Sequence, residues 1–288
     1  MLKQKILEEL ALREDYEFLL EKLVTFGKQA YPSFGHVVIL AGGAGSGKGF
    51  VKDKLLGIEG ITFDVDALKK LAIASKGINA RVKKELKQDL SKMDLRNPDN
   101  VRAVHEILSD YLNLPNKKQQ TVFSSILTAH PDRKPNVIFD VTLKDLRKLE
   151  KLTSGLRDLG YNPRNIHIVW IVNDIEVAKK QNEMRDRRVP VEILVNTHRG
   201  AQHTMKDIVT MGANLKKYMD GSVVFVFNQA FVDSELAVSK RGGSYIKNAE
   251  FVYVKHPGTP PMDLKQLDTA VLQKIARYVP DGNNWVSA

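Results

Sequence analysis

The apolar positions of this chain follow two rhythms that alternate along its length. Short continuous runs rich in Val, Ile and Phe occur at His36–Ala41, Ile61–Asp64, Asn136–Val141, Ile166–Val172 and Val223–Phe227. Runs of this length, bounded by polar residues or glycine, read as strands buried on both faces. Stretches between them carry helical spacing. Strands that alternate with helices predict a three-layer αβα fold around a central, mainly parallel sheet, with ligands at the carboxyl ends of the strands.

Three further segments extend this core. From Leu2 to Phe26 the apolar residues Leu2, Ile6 and Leu10, then Tyr16, Leu19, Leu20 and Leu23, stand at helical spacing with charges between them, an amphipathic helix. Ala74 to Pro135 is too long for a simple connection; its helix-like parts at Arg81–Met93, Asn100–Leu112 and Gln119–Ala129 predict a helical insertion near an acceptor site. After Phe227 come a basic loop around Lys240-Arg241-Gly242-Gly243, a strand at Phe251–Val254 and a last helix near Asp263–Tyr278. The expected organisation is an N-terminal helical segment over 1–30, a core over 31–230 with an insertion at about 75–135, and a C-terminal extension over 231–288 packed on the core.

The first apolar run leads directly into Gly42-Gly43-Ala44-Gly45-Ser46-Gly47-Lys48. Glycines here let successive backbone N–H groups converge on one point, the following helix presents the positive end of its dipole, and a lysine can reach β- and γ-phosphates. The spacing is that of a P-loop and the expected ligand is ATP or GTP, held by Gly43, Ala44, Gly45, Ser46, Gly47, Lys48, Gly49 and Phe50. Position 49 is Gly, where a Ser or Thr hydroxyl normally helps to hold Mg²⁺. Three readings follow: metal binding is weakened, a carboxylate takes over the task, or the chain binds nucleotide without turning it over; the second is the expectation.

Carboxylates at strand ends are the replacements on offer. Asp140 closes the run Val137-Ile138-Phe139 and suits a magnesium ion or its water; the alternative is a turn or cap assisted by Thr142. Asp64 and Asp66 follow the second run, with Asp64 assigned to acceptor and metal. Asp66 reads either as the base toward an acceptor hydroxyl or as the N-cap of a helix starting near Ala67. Arg185, Arg187 and Arg188, ahead of Val189-Pro190, read as a lid whose cations stabilise a transferring phosphoryl group, or as cations satisfying a helix C-terminus.

Bulk properties narrow the classes. With 288 residues and 43% hydrophobic content the chain can bury a full core. It has no cysteine, which excludes disulfides, thiolate zinc sites and cysteine nucleophiles. His198 and His203 are five apart and do not read as zinc ligands. No apolar stretch is long enough for a membrane span, and acids occupy the N-terminus where a signal peptide would be apolar, so a soluble cytoplasmic protein is expected. The net charge of +10 favours polyanionic partners, with a merely lysine-rich surface as the alternative.

As an ordered set, the glycine loop, Asp64-Val65-Asp66, Asp140-Val141-Thr142-Leu143 and Arg185 to Pro190 followed by Val191-Glu192-Ile193-Leu194 resemble the phage polynucleotide 5′-kinase and zeta-toxin group of P-loop kinases. The resemblance runs from about Val37 to Thr204. It implies ATP with Mg²⁺ as cofactors, Asp66 as base, Lys69 as a contact to acceptor phosphate, Thr142 on the acceptor side, and a lid of Arg185, Arg187 and Arg188 acting with Lys48. The acceptor it implies is a hydroxyl on nucleic acid: the hydroxymethyl group of 5-hydroxymethyluracil in DNA, or a polynucleotide 5′-hydroxyl, in the host cytoplasm if the chain is phage-encoded. Tyr245 and Phe123 are sequence candidates for the pocket that a flipped base needs. The alternatives are a kinase of a small molecule, a nucleotide or a sugar nucleotide, as in zeta toxins, and a non-catalytic nucleotide-binding regulator.

Overall fold

A computed structural model describes residues 31–228, 236–238, 244–246 and 250–287. The five apolar runs form parallel strands β1 (Val37–Ala41), β2 (Ile61–Asp64), β3 (Val137–Asp140), β4 (Ile166–Asn173) and β5 (Val223–Asn228). After β5, β6 (Leu236–Val238) and β7 (Ser244–Ile246) pair as a separate antiparallel ribbon. The chain then returns as β8 (Glu250–Lys255), antiparallel to β5, which completes a six-stranded sheet in the order β2-β3-β1-β4-β5-β8. The fold is therefore α/β with a mostly parallel sheet.

Alternation along the central strands divides the core into two layers. Val37, Ile39 and Ala41 pack with Phe139, Trp170, Met205 and Ile208. Val38 and Leu40 face the other way, onto Val51, Leu55 and Ile138. Both faces of β1 and β4 are buried, which is why these strands read as continuous apolar runs.

The helix after the glycine loop is α1 (Lys48–Phe50), which runs on without a break into a π turn over Val51–Leu55. After α2 (Val65–Ala74), the stretch expected as an insertion holds α3 (Lys76–Leu86), α4 (Pro98–His105) with a π turn over Glu106–Tyr111, and α5 (Leu114–Leu127). It carries a small core of its own around Val82, Leu90, Val104 and Leu108. The helix expected over Arg81–Met93 starts earlier and stops at Leu86, because Lys87 takes a left-handed conformation, φ 58°; the chain resumes as a 3₁₀ turn at Leu90–Lys92.

Beyond β3, α6 (Leu146–Asp158), α7 (Ile175–Glu183) and α8 (Val191–Thr210) complete the sheet's connections. The last helix, α9 (Thr269–Tyr278), begins at an Asp268 cap rather than at Asp263, whose carboxylate instead accepts from Lys265 and Gln266 N–H in a separate turn. Trp285, 1% exposed, lies parallel to Trp170 at 5.6 Å between ring centres, and its Nε1–H donates to Gln202 Oε1 at 2.8 Å. The end of the chain is thus part of the sheet's core.

Phe123, one of the two candidates for a base pocket, is partly buried and packs edge-on against Phe139 at 6.5 Å. The amphipathic N-terminal helix, the basic loop near Lys240 and the side chain of Tyr245 lie outside the described residues. No helix among the described residues is long and apolar enough to cross a membrane.

Candidate active site

The carboxyl ends of the parallel strands bring together the loop after β1, Asp64, Asp140, Asn173 and Asn228. Gly45 and Gly47 take φ values of 75° and 91°, a left-handed backbone that side chains disfavour. The carbonyls from Gly42 to Ser46 each accept from a side chain. Gly42 and Gly43 accept from Lys48 Nζ at 2.9 and 3.1 Å, Ala44 from His198 Nε2 at 2.9 Å, Gly45 from Asn173 Nδ2 at 3.3 Å and Ser46 from Asn228 Nδ2 at 2.9 Å. The N–H groups of Gly45, Gly47 and Lys48 donate to no described residue. Buried Ser46 Oγ also has no hydrogen-bond partner among the described residues. Carbonyls occupied by side-chain donors, N–H groups left without a partner and an orphaned hydroxyl fit a bound phosphate chain.

Thr197 and His198 were not legible as site residues, yet both grip this loop. Thr197 Oγ1 accepts from Ala44 N–H at 3.0 Å and donates to Leu194 O at 2.7 Å. His198 is buried against Gly43, where a Cβ would collide with the imidazole. Phe50, expected at the nucleotide, turns its ring to the apolar layer with Val38 and Leu40, so only its backbone can serve there. Thr142 meets the loop through its backbone, its carbonyl accepting from Gly42 N–H at 3.3 Å.

Asp64 and Asp140 are register partners on adjacent strands. Asp64 Oδ1 accepts from Asp66 N–H at 2.8 Å and Ala67 N–H at 3.1 Å, so the N-cap of α2 is Asp64 and not Asp66. Freed from capping, Asp66 places Oδ1 2.6 Å from Arg187 Nη1 and 3.6 Å from Lys69 Nζ. Lys69 Nζ is in turn 2.8 Å from His105 Nδ1, a residue the sequence did not single out.

These charges act on one another. Burial pushes the Lys48 ammonium below its ordinary pKa, aided by Arg185 and opposed by Asp140, Asp66 and Asp64. Burial raises Asp140, with Lys48 opposing and Asp64 adding to the rise. For Asp66 burial also acts upward, but Arg187, Lys69 and Lys48 together hold the carboxyl below its usual value. Lys48, Asp64, Asp66, Lys69, Asp140, Arg185 and Arg187 therefore form one electrostatic cluster.

No group of three or more His, Asp or Glu among the described residues can hold a metal alone. Magnesium commonly uses one or two carboxylates together with phosphate oxygens and water. Asp140 and Asp64 fit that partial set, and the space around Gly49 is open, with no atom within 4 Å of where a Cβ would stand.

The arginines lie in an irregular loop, residues 184–189, between α7 and α8. Asn182 clamps its far end, donating to Val189 O at 2.7 Å and accepting from Val189 N–H at 2.9 Å. Arg187 turns inward to Asp66, which removes it from any helix-capping role. Arg185 and Arg188 are exposed. The insertion reaches this loop through Arg188 N–H to Leu95 O, 2.9 Å, and Arg96 to Asp186, 3.8 Å.

No protein-family model matches the sequence, and no curated protein matches it either. Among solved structures the chain is similar to one from the PezAT chromosomal toxin-antitoxin system of Streptococcus pneumoniae, at 11% identity and TM-score 0.40 over 77% of this chain and 75% of that one. It is also similar to the AvrRxo1-ORF1:-ORF2 structure with ATP, at 11% identity and TM-score 0.41 over 99% of this chain and 83% of that one. The native AvrRxo1-ORF1:-ORF2 complex gives 12% identity and TM-score 0.40 over 99% and 82%. All three are distant likenesses.

Proposed function

We propose that this protein is a P-loop phosphotransferase that moves the γ-phosphoryl group of ATP to an acceptor hydroxyl held at Asp66. The observation that carries the reading is the pairing of Asp66 Oδ1 with Arg187 at 2.6 Å, within the electrostatic reach of Lys48. ATP supplies the phosphoryl group and Mg²⁺ neutralises charge on its phosphates. The loop N–H groups and Lys48 cradle those phosphates, and Asp140 with Asp64 provides carboxylates for the metal. Arg187 and Lys69 both lie beside the Asp66 carboxylate, which orients the acceptor hydroxyl and takes its proton. Arg187, and Arg185 beside Lys48, place positive charge where the transferring group develops negative charge.

For the acceptor we propose nucleic acid, either the hydroxymethyl group of 5-hydroxymethyluracil in DNA or a polynucleotide 5′-hydroxyl; the +10 net charge supports it. A second reading, a phosphate-bearing small molecule, draws on Lys69, a buried cation 3.6 Å from Asp66. The experiment is γ-labelled ATP with Mg²⁺ against 5′-hydroxyl DNA, RNA, 5-hydroxymethyluracil DNA, free nucleotides and a sugar nucleotide. Label in a nucleic acid, weakening steeply with salt, supports the first reading. Label in a nucleotide or sugar nucleotide, nearly indifferent to salt, supports the second. ATP binding with label in no acceptor would overturn the kinase reading in favour of a nucleotide-binding regulator.

A further inference from the structure

Lys69 is a buried lysine on α2, and two groups flank its ammonium: Asp66 Oδ1 at 3.6 Å and Nδ1 of His105 at 2.8 Å. His105 ends α4, in the insertion, 36 residues further along the chain. An ammonium has donors and no acceptor, so Nδ1 must offer its lone pair and the ring proton must sit on Nε2. Ser109 Oγ lies 3.3 Å from the same nitrogen, four residues further along.

A lysine ammonium is a compact charge on a flexible stem, and its direction is set by the acceptors around it. Asp66 alone would leave that direction loose. We propose that His105 is a positioning residue of the transfer reaction, holding the Lys69 ammonium beside the Asp66 carboxylate so that this carboxylate stays oriented toward the acceptor hydroxyl. The proposal rests on the kinase reading and gives the insertion a part in it.

The same geometry makes the site acid-sensitive. A doubly protonated His105 cannot accept from Lys69, and it sets a second cation against the first. Charged groups acting on the ring are Lys69 and Asp66 on α2, Asp110 in the following turn and Arg187 in the arginine loop. Burial lowers its pKa, Lys69 and Arg187 lower it further, and Asp110 and Asp66 work the other way.

The test uses the full chain and two measurements. In the first, ¹⁵N shifts of the His105 imidazole are followed from about pH 8 to about pH 5. The expected result is a bare Nδ1, a protonated Nε2, and a titration midpoint that moves upward in Lys69→Met. A protonated Nδ1, or a midpoint indifferent to Lys69→Met, would overturn the proposal. In the second, transfer is measured with the acceptor that takes label from wild type. His105→Ala should lower kcat/KM for that acceptor about tenfold or more while leaving ATP affinity unchanged. His105→Asn, whose amide oxygen can accept from Lys69, should recover much of the loss and flatten the acid side of the pH profile. Wild-type kcat/KM in His105→Ala, or no recovery in a folded His105→Asn, would overturn the positioning role alone. Absence of transfer in wild type would overturn the kinase reading and this proposal together.

Discussion

His198 Nε2 donates to the carbonyl of Ala44 at 2.9 Å, and the neighbouring Thr197 hydroxyl accepts from the N–H of the same residue at 3.0 Å. One alanine at the tip of the phosphate loop is thereby held from both sides by consecutive residues of α8. Burial lowers the His198 pKa to about 4, although its bond to Ala44 acts the other way, so at neutral pH the ring is uncharged with its proton on Nε2.

Each of these bonds should show in nucleotide affinity. A buried hydrogen bond contributes about 1 kcal/mol net, so Thr197→Val and His198→Leu should each weaken a nonhydrolysable ATP analogue about fivefold. Isothermal titration calorimetry on the single and double variants checks this. Unchanged affinity in the double variant would mean that the glycines alone shape the loop.

Gly49→Ser tests how the metal is held. The position is open, so stability should stay within about 0.5 kcal/mol of wild type. The added hydroxyl should lower the Mg²⁺ concentration needed for half-maximal transfer. Asp140→Asn should raise it about tenfold, a loss of about 1.4 kcal/mol, and Gly49→Ser should offset part of that rise. A Mg²⁺ titration of the three variants decides, and indifference to Asp140→Asn would remove that carboxylate from the metal's shell.

Asp66→Asn and Arg187→Ala separate chemistry from binding. Loss of the base should lower kcat by about two to four orders of magnitude, and loss of the arginine by about three or more. ATP affinity should change little in Asp66→Asn. Single-turnover transfer with a parallel binding titration is the measurement; Asp66→Asn at the wild-type rate would exclude it as base.

Stability should fall in acid through a buried pair far from this chemistry. His36 Nδ1 and His167 Nε2 are 3.2 Å apart in stacked rings, and Ser222 N–H donates to His167 Nδ1 at 3.0 Å. Burial drives His167 down to about 3, with His36 and Lys255 adding, and burial lowers His36 as well. The unfolded chain, with histidines near 6.5, then binds more protons than the folded one. This contribution is complete above about pH 6.5 and is lost as pH falls toward about 3, so at pH 5 His167 alone should cost about 2 kcal/mol. Urea unfolding from neutral to acid pH checks it, and His167→Gln should flatten the dependence.

Strands and loop were readable because each rests on a local pattern. β1, β4 and β5 are buried throughout and read as near-continuous apolar runs, with His167 the one polar residue before their ends. Asp64 and Asp66 exchange capping for pairing because α2 starts at Val65 instead of Ala67, a shift of two residues that both sequences of events would write identically. Lys87 breaks α3 with a left-handed turn that a lysine does not announce. Thr197 and His198 reach Ala44 across more than 150 residues, and helical periodicity alone reads them as buried positions. Asn173 and Asn228 did carry a sign: each is a polar residue closing an apolar strand at the ligand end of the sheet.

Helix α8 meets the arginine loop at its start, the phosphate loop at Thr197 and His198, and the chain's last residues at Gln202, whose amide receives Trp285 and donates to Pro280 O. From Val191 to His198 is about two turns, roughly 10 Å. The Trp285 and Pro280 contacts therefore brace the same helix that grips the phosphate loop, about one turn away. A truncation at the far end of the chain should thus read out as poorer nucleotide binding before it reads out as unfolding.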